Sequence, residues 1–152
     1  RERGVDTREM DRAKLVDEVF GQVIEPELQN ATFVTGQPIE MTPLCRQVPD
    51  RPGIADRFEA YLAGMELANA YTELNDPREQ RKRLEEQVGE EVIEKGKVDE
   101  DFLLAMEHGM PPAGGIGIGI DRLVMMLTNN PSIREVILFP QLREAETANI
   151  EE

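Results

Sequence analysis

The chain has 152 residues and a formal net charge of −14, from 17 basic and 31 acidic side chains. Its length suffices for one domain with a hydrophobic core, and no apolar run approaches the roughly 20 residues that a membrane span needs. A surface that holds nucleic acid by its phosphates is expected to be basic, so the acidic balance argues against a stand-alone nucleic-acid-binding domain. We expect a folded protein that does not cross a membrane.

The reactive side chains are few. The single cysteine, Cys45, excludes an internal disulfide and fits a reducing compartment, and one cysteine with one histidine cannot form a metal cluster. His108 stands beside Gly109 at a predicted helix end, where a partner for the helix C-terminus is expected rather than an acid or base. The charged N-terminal segment has no apolar signal core, so we predict a cytoplasmic location.

The first half of the chain predicts a helix, a short strand and a β-hairpin. Apolar side chains at helical spacing predict the helix over 10–24, and a β-prone run predicts the strand over 31–35. Residues 56–63 and 66–74 both alternate apolar with polar side chains, which predicts a hairpin with Gly64-Met65 at its turn.

The second half predicts two further helices, two strands and a polar tail. Asp76 and Pro77 are typical of a helix start, and a second helix is expected over 99–109 with Phe102, Leu103 and Met106 directed inward. In chain order there follow a glycine-rich strand from 114, a buried helix, a buried strand over 136–139 and a polar tail over 144–152.

Glycine and isoleucine alternate from Gly115 to Ile120. Because successive strand residues point to opposite faces, Ile116, Ile118 and Ile120 are expected to line a core. Gly115, Gly117 and Gly119 would then leave the other face as bare backbone. Glycines in a strand often allow a ligand or another backbone to come close, although tight packing against a helix would explain them equally well.

Asp121 and Arg122 follow this strand directly. Asp121 is a suitable N-cap for a helix that begins at Arg122, and the apolar residues after it predict a helix buried on most sides. Arg122 would then lie at a helix N-terminus beside a strand without side chains, a favourable place for an anion.

The hairpin carries the other candidate site residues. Glu59 and Glu66 flank its turn, and two close carboxylates suit Mg²⁺ with phosphate as a further ligand. Asn69, Tyr71 and Glu73 share one strand face and would suit a ligand with an aliphatic stem and an ammonium group. An exposed hairpin face explains the two acids without a metal, and ordinary cross-strand packing explains Tyr71.

Four segments resemble one known family. GIGIGIDRL (115–123) resembles motif 3 of the class II aminoacyl-tRNA synthetases. Together with DRFEAYLAGMELANAYTELNDPREQ (56–80), LAMEHGMPPAGG (104–115) and EVILFPQLR (135–143), it resembles the C-terminal part of the class II lysyl-tRNA synthetases. The resemblance implies an α+β fold, with an antiparallel sheet flanked by helices, and makes residues 1–152 part of one catalytic domain.

The same resemblance implies a role for each candidate residue. Arg122 would bind the ATP γ-phosphate, Glu59 and Glu66 would hold Mg²⁺ at the triphosphate, and Glu73 would face the ε-ammonium of lysine. The remaining implied roles are the strand under the adenosine, from Gly115, Gly117 and Gly119, and the lysine pocket, from Asn69 and Tyr71 with Glu73.

The implied activity joins L-lysine to ATP as an adenylate and passes the lysyl group to tRNA(Lys), in a homodimeric full-length enzyme. The family's anticodon-binding barrel, motif 1, and motif 2 with its α-phosphate arginine should precede residue 1, and Thr42 stands where the family usually has serine. We therefore expect a C-terminal fragment that is inactive alone. The alternatives are a paralogue that lysylates a protein and a non-catalytic module that binds ATP or lysine.

Strict alternation and the resemblance disagree at one place. Period two puts Glu66 on the opposite side of the strand from Asn69, Tyr71 and Glu73, whereas the resemblance puts all four in one site. A β-bulge or a late strand start near Leu67–Ala68 would reconcile the two.

Overall fold

The computed structural model describes residues 10–88 and 98–141, so the tail predicted over 144–152 lies outside the described residues. Residues up to Ile118 form one compact unit, and residues from Gly119 form a second. Over the described ranges, no helix has both the length and the apolar character to cross a membrane.

The first unit is built around a four-stranded antiparallel sheet. Its strands are β1 (Thr32–Thr35), β2 (Arg57–Leu62), β3 (Met65–Thr72) and β4 (Gly114–Ile118), hydrogen-bonded in the order β1-β2-β3-β4. Helices accompany this sheet, so the predicted α+β fold with an antiparallel sheet is confirmed.

Helices of the first unit begin directly after aspartates, as the sequence predicts at Asp76. Helix α1 (Arg12–Val19) follows Asp11 and continues through a π-helical turn over Phe20–Ile24. Asp76 accepts a hydrogen bond from the backbone N–H of Arg78 (2.9 Å) at the start of α2 (Pro77–Val88), and Asp99 does the same for Phe102 (2.9 Å) at α3 (Glu100–Glu107). An aspartate at the N-cap satisfies backbone donors that the helix leaves open.

Helices α2 and α3 pack together. Arg81 of α2 donates two hydrogen bonds to the carboxylate of Glu100 on α3, at 2.8 and 2.6 Å. Leu103 and Met106 are buried, as predicted, because they are three residues apart and share a helix face. The prediction for Phe102 is wrong, because its position turns it toward the solvent side of α3.

The hairpin turn lies one residue earlier than predicted. Ala63 (φ 53°) and Gly64 (φ 70°) form it, and Met65 is already the first residue of β3. Two-residue turns with positive φ at both positions match the right-handed twist of the flanking strands. Gly64 therefore takes the second turn position, and the prediction of Gly64-Met65 is wrong.

The predicted β-bulge is confirmed. Ala60 pairs with Ala68, but the next pair joins Tyr61 to Glu66, so Leu67 is the additional residue of β3. A bulge reverses the direction of the side chains that follow it. Glu66 consequently lies on the same face of the sheet as Asn69.

One face of the sheet, here called the apolar face, is formed by residues that pair directly across the strands. Its apolar members are Phe33, Phe58, Ala60, Ala68, Ala70, Ile116 and Ile118, and Thr35 pairs with Phe58 on the same face. Ile116 and Ile118 are 62% and 52% exposed, so the prediction that they line a core is wrong. Alternation assigned the two isoleucines to one face correctly, but β4 lies at the sheet edge and the described residues leave their side chains largely uncovered.

The second unit contains helix α4 (Ile120–Leu127) and a 3-10 turn over Ile133–Glu135. Gly119 is the N-cap of α4, so the prediction of an Asp121 cap and a helix start at Arg122 is wrong, as is the placing of Ile120 in the strand. Asp121 still lies in the first turn, where the helix dipole favours an acid. Met125 is buried and Leu127 is exposed, so α4 is not buried on most sides as predicted.

The strand predicted over 136–139 is wrong. No strand lies within the described residues 119–141, and Leu138 and Phe139 are 88% and 90% exposed. A strand needs a neighbouring strand for its backbone hydrogen bonds, and this described part of the chain offers none.

Candidate functional site

The face of the sheet opposite the apolar face, here called the polar face, holds most of the predicted site residues. Direct pairing aligns Glu59 with Asn69 and Gly117, and Arg57 with Tyr71 and Gly115. The bulge adds Glu66 beside Tyr61. On β2, β3 and β4, the polar face therefore consists of Arg57, Glu59, Tyr61, Glu66, Asn69, Tyr71, Gly115 and Gly117.

Glu59 is the most constrained acid of this face, with only 8% of its surface exposed. Its Oε2 accepts hydrogen bonds from the Tyr61 hydroxyl (2.8 Å) and from the Gln37 amide (2.6 Å). Arg57 donates to its Oε1 and forms an ion pair with it. A buried carboxylate is costly unless it is paired and hydrogen-bonded. These three donors therefore fix Glu59 in one orientation.

Tyr61 contacts both the Glu59 carboxylate and the π-helical turn that follows α1. The ring of Phe20, in the π-helical turn, packs edge-on against the Tyr61 ring at a centroid distance of 5.5 Å. Burial, followed by the hydrogen bond to Glu59, raises the pKa of Tyr61 above its ordinary value. The hydroxyl therefore keeps its proton and remains a donor to Glu59.

The sequence analysis did not identify the three residues that donate hydrogen bonds to Glu59 as site residues. Arg57 and Tyr61 stand two residues on either side of Glu59, and this spacing puts all three on one strand face. That spacing could have identified them. Gln37 lies in a loop 22 residues from Glu59, and no local pattern indicates their contact.

Glu66 links the two predicted parts of the site. The Asn69 side-chain amide donates a hydrogen bond to Glu66 Oε1 at 3.1 Å. A cleft of about 540 Å³ opens beside these acids, with Glu59, Tyr61 and Glu66 in its wall. The carboxylate predicted for a metal and the amide predicted for lysine are thus direct neighbours.

Glu59 and Glu66 both offer carboxylate oxygens, a ligand type that suits Mg²⁺. Among the described residues, no group of three His, Cys, Asp or Glu side chains could hold a metal ion. Mg²⁺ commonly takes one or two carboxylates, with substrate phosphates and water completing its shell. The two glutamates fit an ion that arrives with a phosphate ligand, rather than one held by the protein alone.

Glu73 extends over the glycine strand. A Cβ atom built on Gly115 would lie 2.5 Å from Glu73 Oε1, so the carboxylate stands over the bare backbone of β4. Tyr71 pairs with the same glycine. Burial, and then the negative charge of Glu73, raises the pKa of Tyr71. Tyr71, Glu73 and Gly115 therefore form one cluster on the polar face.

Two predicted site residues belong to the second unit. Arg122 is the third residue of α4 and is exposed, and Gly119 caps the same helix. The other predicted site residues all belong to the first unit. The structure thus brings the carboxylate and lysine-pocket candidates together on one sheet, whereas Arg122 and Gly119 are on a separate helix.

A comparison with known protein families identifies the chain. The family model for class II tRNA synthetases (D, K and N) matches residues 6–143. The chain belongs to this family. The resemblance carried by the glycine strand and the hairpin is confirmed, and the antiparallel sheet with its helices agrees with the catalytic domain of a class II synthetase.

Curated relatives of this chain are named lysine–tRNA ligases. The protein from Dehalococcoides mccartyi is 53% identical over 146 residues, which cover 93% of this chain and 29% of the relative. Those from Chloroflexus aurantiacus and Bacillus subtilis are each 53% identical over 87% and 86% of this chain. The chain spans between 27% and 29% of the length of these relatives.

Proposed function

We propose that the chain is the C-terminal part of the catalytic domain of a lysine–tRNA ligase. The complete enzyme activates L-lysine with ATP as lysyl-adenylate and transfers the lysyl group to tRNA(Lys). The observation that carries this proposal is the polar face, where Glu73, Tyr71 and Asn69 stand beside the Glu59–Glu66 pair. The lysine–tRNA ligases to which the chain is 53% identical support the choice of amino acid.

In this proposal Glu73 and Tyr71 recognise the lysine side chain. Glu73 provides the negative charge for the ε-ammonium, and a charged hydrogen bond is about twice as strong as a neutral one. The Tyr71 ring lies beside Glu73 and covers the aliphatic stem. Asn69, hydrogen-bonded to Glu66, lies between the lysine and metal subsites.

The acids of the hairpin serve the nucleotide. Glu59 and Glu66 would hold Mg²⁺, which neutralises negative charge on the ATP phosphates when it is bound. Arg57, Tyr61 and Gln37 keep the Glu59 carboxylate oriented before ATP arrives. Because the reaction needs no side-chain nucleophile, the protein contributes positioning and charge stabilisation.

The family resemblance also implies ATP contacts for Arg122 and for the glycines. We assign Arg122 to the γ-phosphate and Gly115, Gly117 and Gly119 to the strand under the adenosine. Motifs 1 and 2 and the anticodon-binding domain are expected upstream of this chain in the complete enzyme. Isolated residues 1–152 should therefore not catalyse adenylation. The complete enzyme acts as a homodimer in the cytoplasm, and its tRNA contacts come mainly from parts outside this acidic chain.

The proposal is tested by lysine-dependent ATP–pyrophosphate exchange in the complete ligase that carries this chain. Replacing Arg122 by alanine should lower the exchange rate by roughly 10²–10³, the effect of losing one preorganised charge stabiliser. Arg134→Ala is the matched control, because Arg134 is also an exposed arginine of the second unit. Near-normal exchange by the Arg122→Ala enzyme would contradict the assignment.

A further inference from the structure

We propose that Gly115 is a specificity-determining residue that positions Glu73: the missing side chain leaves the space in which the Glu73 carboxylate must stand to meet the ammonium of lysine. This inference rests on the proposed function and deepens it. It gives Gly115 a role in the lysine subsite, in addition to the place under the adenosine that the family resemblance implies.

The backbone of Glu73 is held from both sides. Its N–H donates a hydrogen bond to the carbonyl of Ala113 (3.0 Å), and the residue forms an isolated β-bridge with Cys45 on the other side. The following N–H, of Leu74, donates to the carbonyl of Leu44 (2.9 Å). With its main chain fixed between two segments, Glu73 can change the position of its carboxylate only through its side-chain torsions.

The space over Gly115 is already filled by that carboxylate. A Cβ on Gly115 would lie 2.5 Å from Glu73 Oε1 and 3.7 Å from Cδ, and real Cβ contacts essentially never fall below 3.0 Å. An alanine methyl group and the present carboxylate therefore cannot coexist. Because the carboxylate is the end of a flexible side chain, it moves aside while the sheet remains intact.

Neighbouring glycines of β4 do not carry this restriction. A Cβ on Gly114 would meet the Tyr71 carbonyl oxygen at 3.7 Å, an ordinary van der Waals contact. A Cβ on Gly117 would approach Asn69 Oδ1 no closer than 4.0 Å. Gly115, Gly114 and Gly117 all have backbone angles that alanine accepts, since none of them has a positive φ. Of these three glycines, only Gly115 has the side chain of a proposed ligand-binding residue in the place of a Cβ.

The experiment compares Gly115→Ala with Gly114→Ala in the complete ligase, using L-lysine and ATP-Mg in the exchange assay. Gly115→Ala should raise the KM for lysine roughly 10- to 100-fold, the loss expected when a charged hydrogen bond is misplaced. Its KM for ATP should rise by a smaller factor than its KM for lysine, because the displaced carboxylate faces lysine. Gly114→Ala should leave both constants unchanged. The thermal unfolding midpoint of each variant serves as the check on folding.

A rescue experiment separates a steric effect on Glu73 from a general effect on the strand. Glu73→Asp shortens the side chain by one methylene and makes room for the methyl group of alanine. Gly115→Ala should therefore raise the lysine KM much less in the Glu73→Asp enzyme than in the enzyme with Glu73. If Gly115→Ala alone does not fold, folding should be restored in the double variant.

The outcomes separate a failure of the inference about Gly115 from a failure of the proposed function. An unaltered lysine KM in the Gly115→Ala enzyme overturns the inference, as does an equal increase in the enzymes with and without the Glu73→Asp substitution. A double variant that also fails to fold overturns it too. Absence of lysine-dependent exchange in the unaltered ligase overturns the proposed function itself, and the inference with it.

Discussion

The two faces of the four-stranded sheet differ in how their side chains are satisfied. On the polar face Glu59 is 8% exposed and accepts hydrogen bonds from three donors, all from the same unit. On the apolar face Ile116 and Ile118 remain more than half exposed. The Glu59 carboxylate has its partners in the hairpin and in one neighbouring loop, whereas the two isoleucines have little cover among the described residues. Alternation in a sequence therefore assigns side chains to faces, but it does not say which face is buried.

Of the tests that compare the two faces, the one on the polar face has the largest expected effect. In the complete ligase, Glu59→Gln should raise the Mg²⁺ concentration needed for half-maximal exchange by roughly 10- to 100-fold, because the amide removes a charge and leaves Arg57 without its anion. Exchange measured over a series of Mg²⁺ concentrations checks this. Glu86→Gln is the control, since Glu86 forms an exposed pair with Lys82. An unchanged Mg²⁺ dependence would remove Glu59 from the nucleotide subsite.

A smaller effect is expected on the apolar face. Ile118→Thr should change the free energy of unfolding of the 152-residue chain by no more than about 0.5 kcal/mol, as is usual for surface substitutions. Leu103→Ala is the reference, because Leu103 is 1% exposed and such truncations cost roughly 2–5 kcal/mol. Urea unfolding of both variants gives the two values. If Ile118→Thr lowered the free energy of unfolding as much as Leu103→Ala does, the apolar face would be packed in solution.

The smallest effect lies away from both faces, at the exposed pair between Arg81 and Glu100. The hydrogen bond from Arg81 lowers the pKa of Glu100 below its ordinary value of 4.5. A lowered folded-state pKa adds stability above the unfolded-state pKa, and this stability is lost as the pH falls through the folded-state value. Arg81→Gln should therefore reduce stability slightly at neutral pH and much less at about pH 3. Urea midpoints that differ equally at both pH values would contradict this.

Local signals in the sequence were sufficient to predict several structural features of the first unit. Asp76 and Asp99 carry their cap function within three residues, so both helix starts could be predicted. The bulge at Leu67 was predictable because alternation and family resemblance disagreed there. Both kinds of signal depend on near neighbours in the chain.

Features that depend on distant contacts could not be predicted in this way. The hydrogen bond from Gln37 to Glu59 joins a loop to a strand without any shared pattern. The apolar run at 136–139 has the composition of a buried strand, yet strand formation requires a partner that the described residues 119–141 do not supply. The roles of Arg122, Gly119 and the other site residues remain predictions.

The central claim is that the polar face recognises the ammonium of lysine through Glu73. The most direct test is calorimetric titration of the complete ligase with L-lysine and with L-norleucine, which has the same four-carbon side chain but no ε-ammonium group. The unaltered enzyme should prefer lysine by roughly 10²-fold or more, and Glu73→Gln should abolish most of that preference. A Glu73→Gln enzyme that keeps the full preference for lysine would contradict the claim.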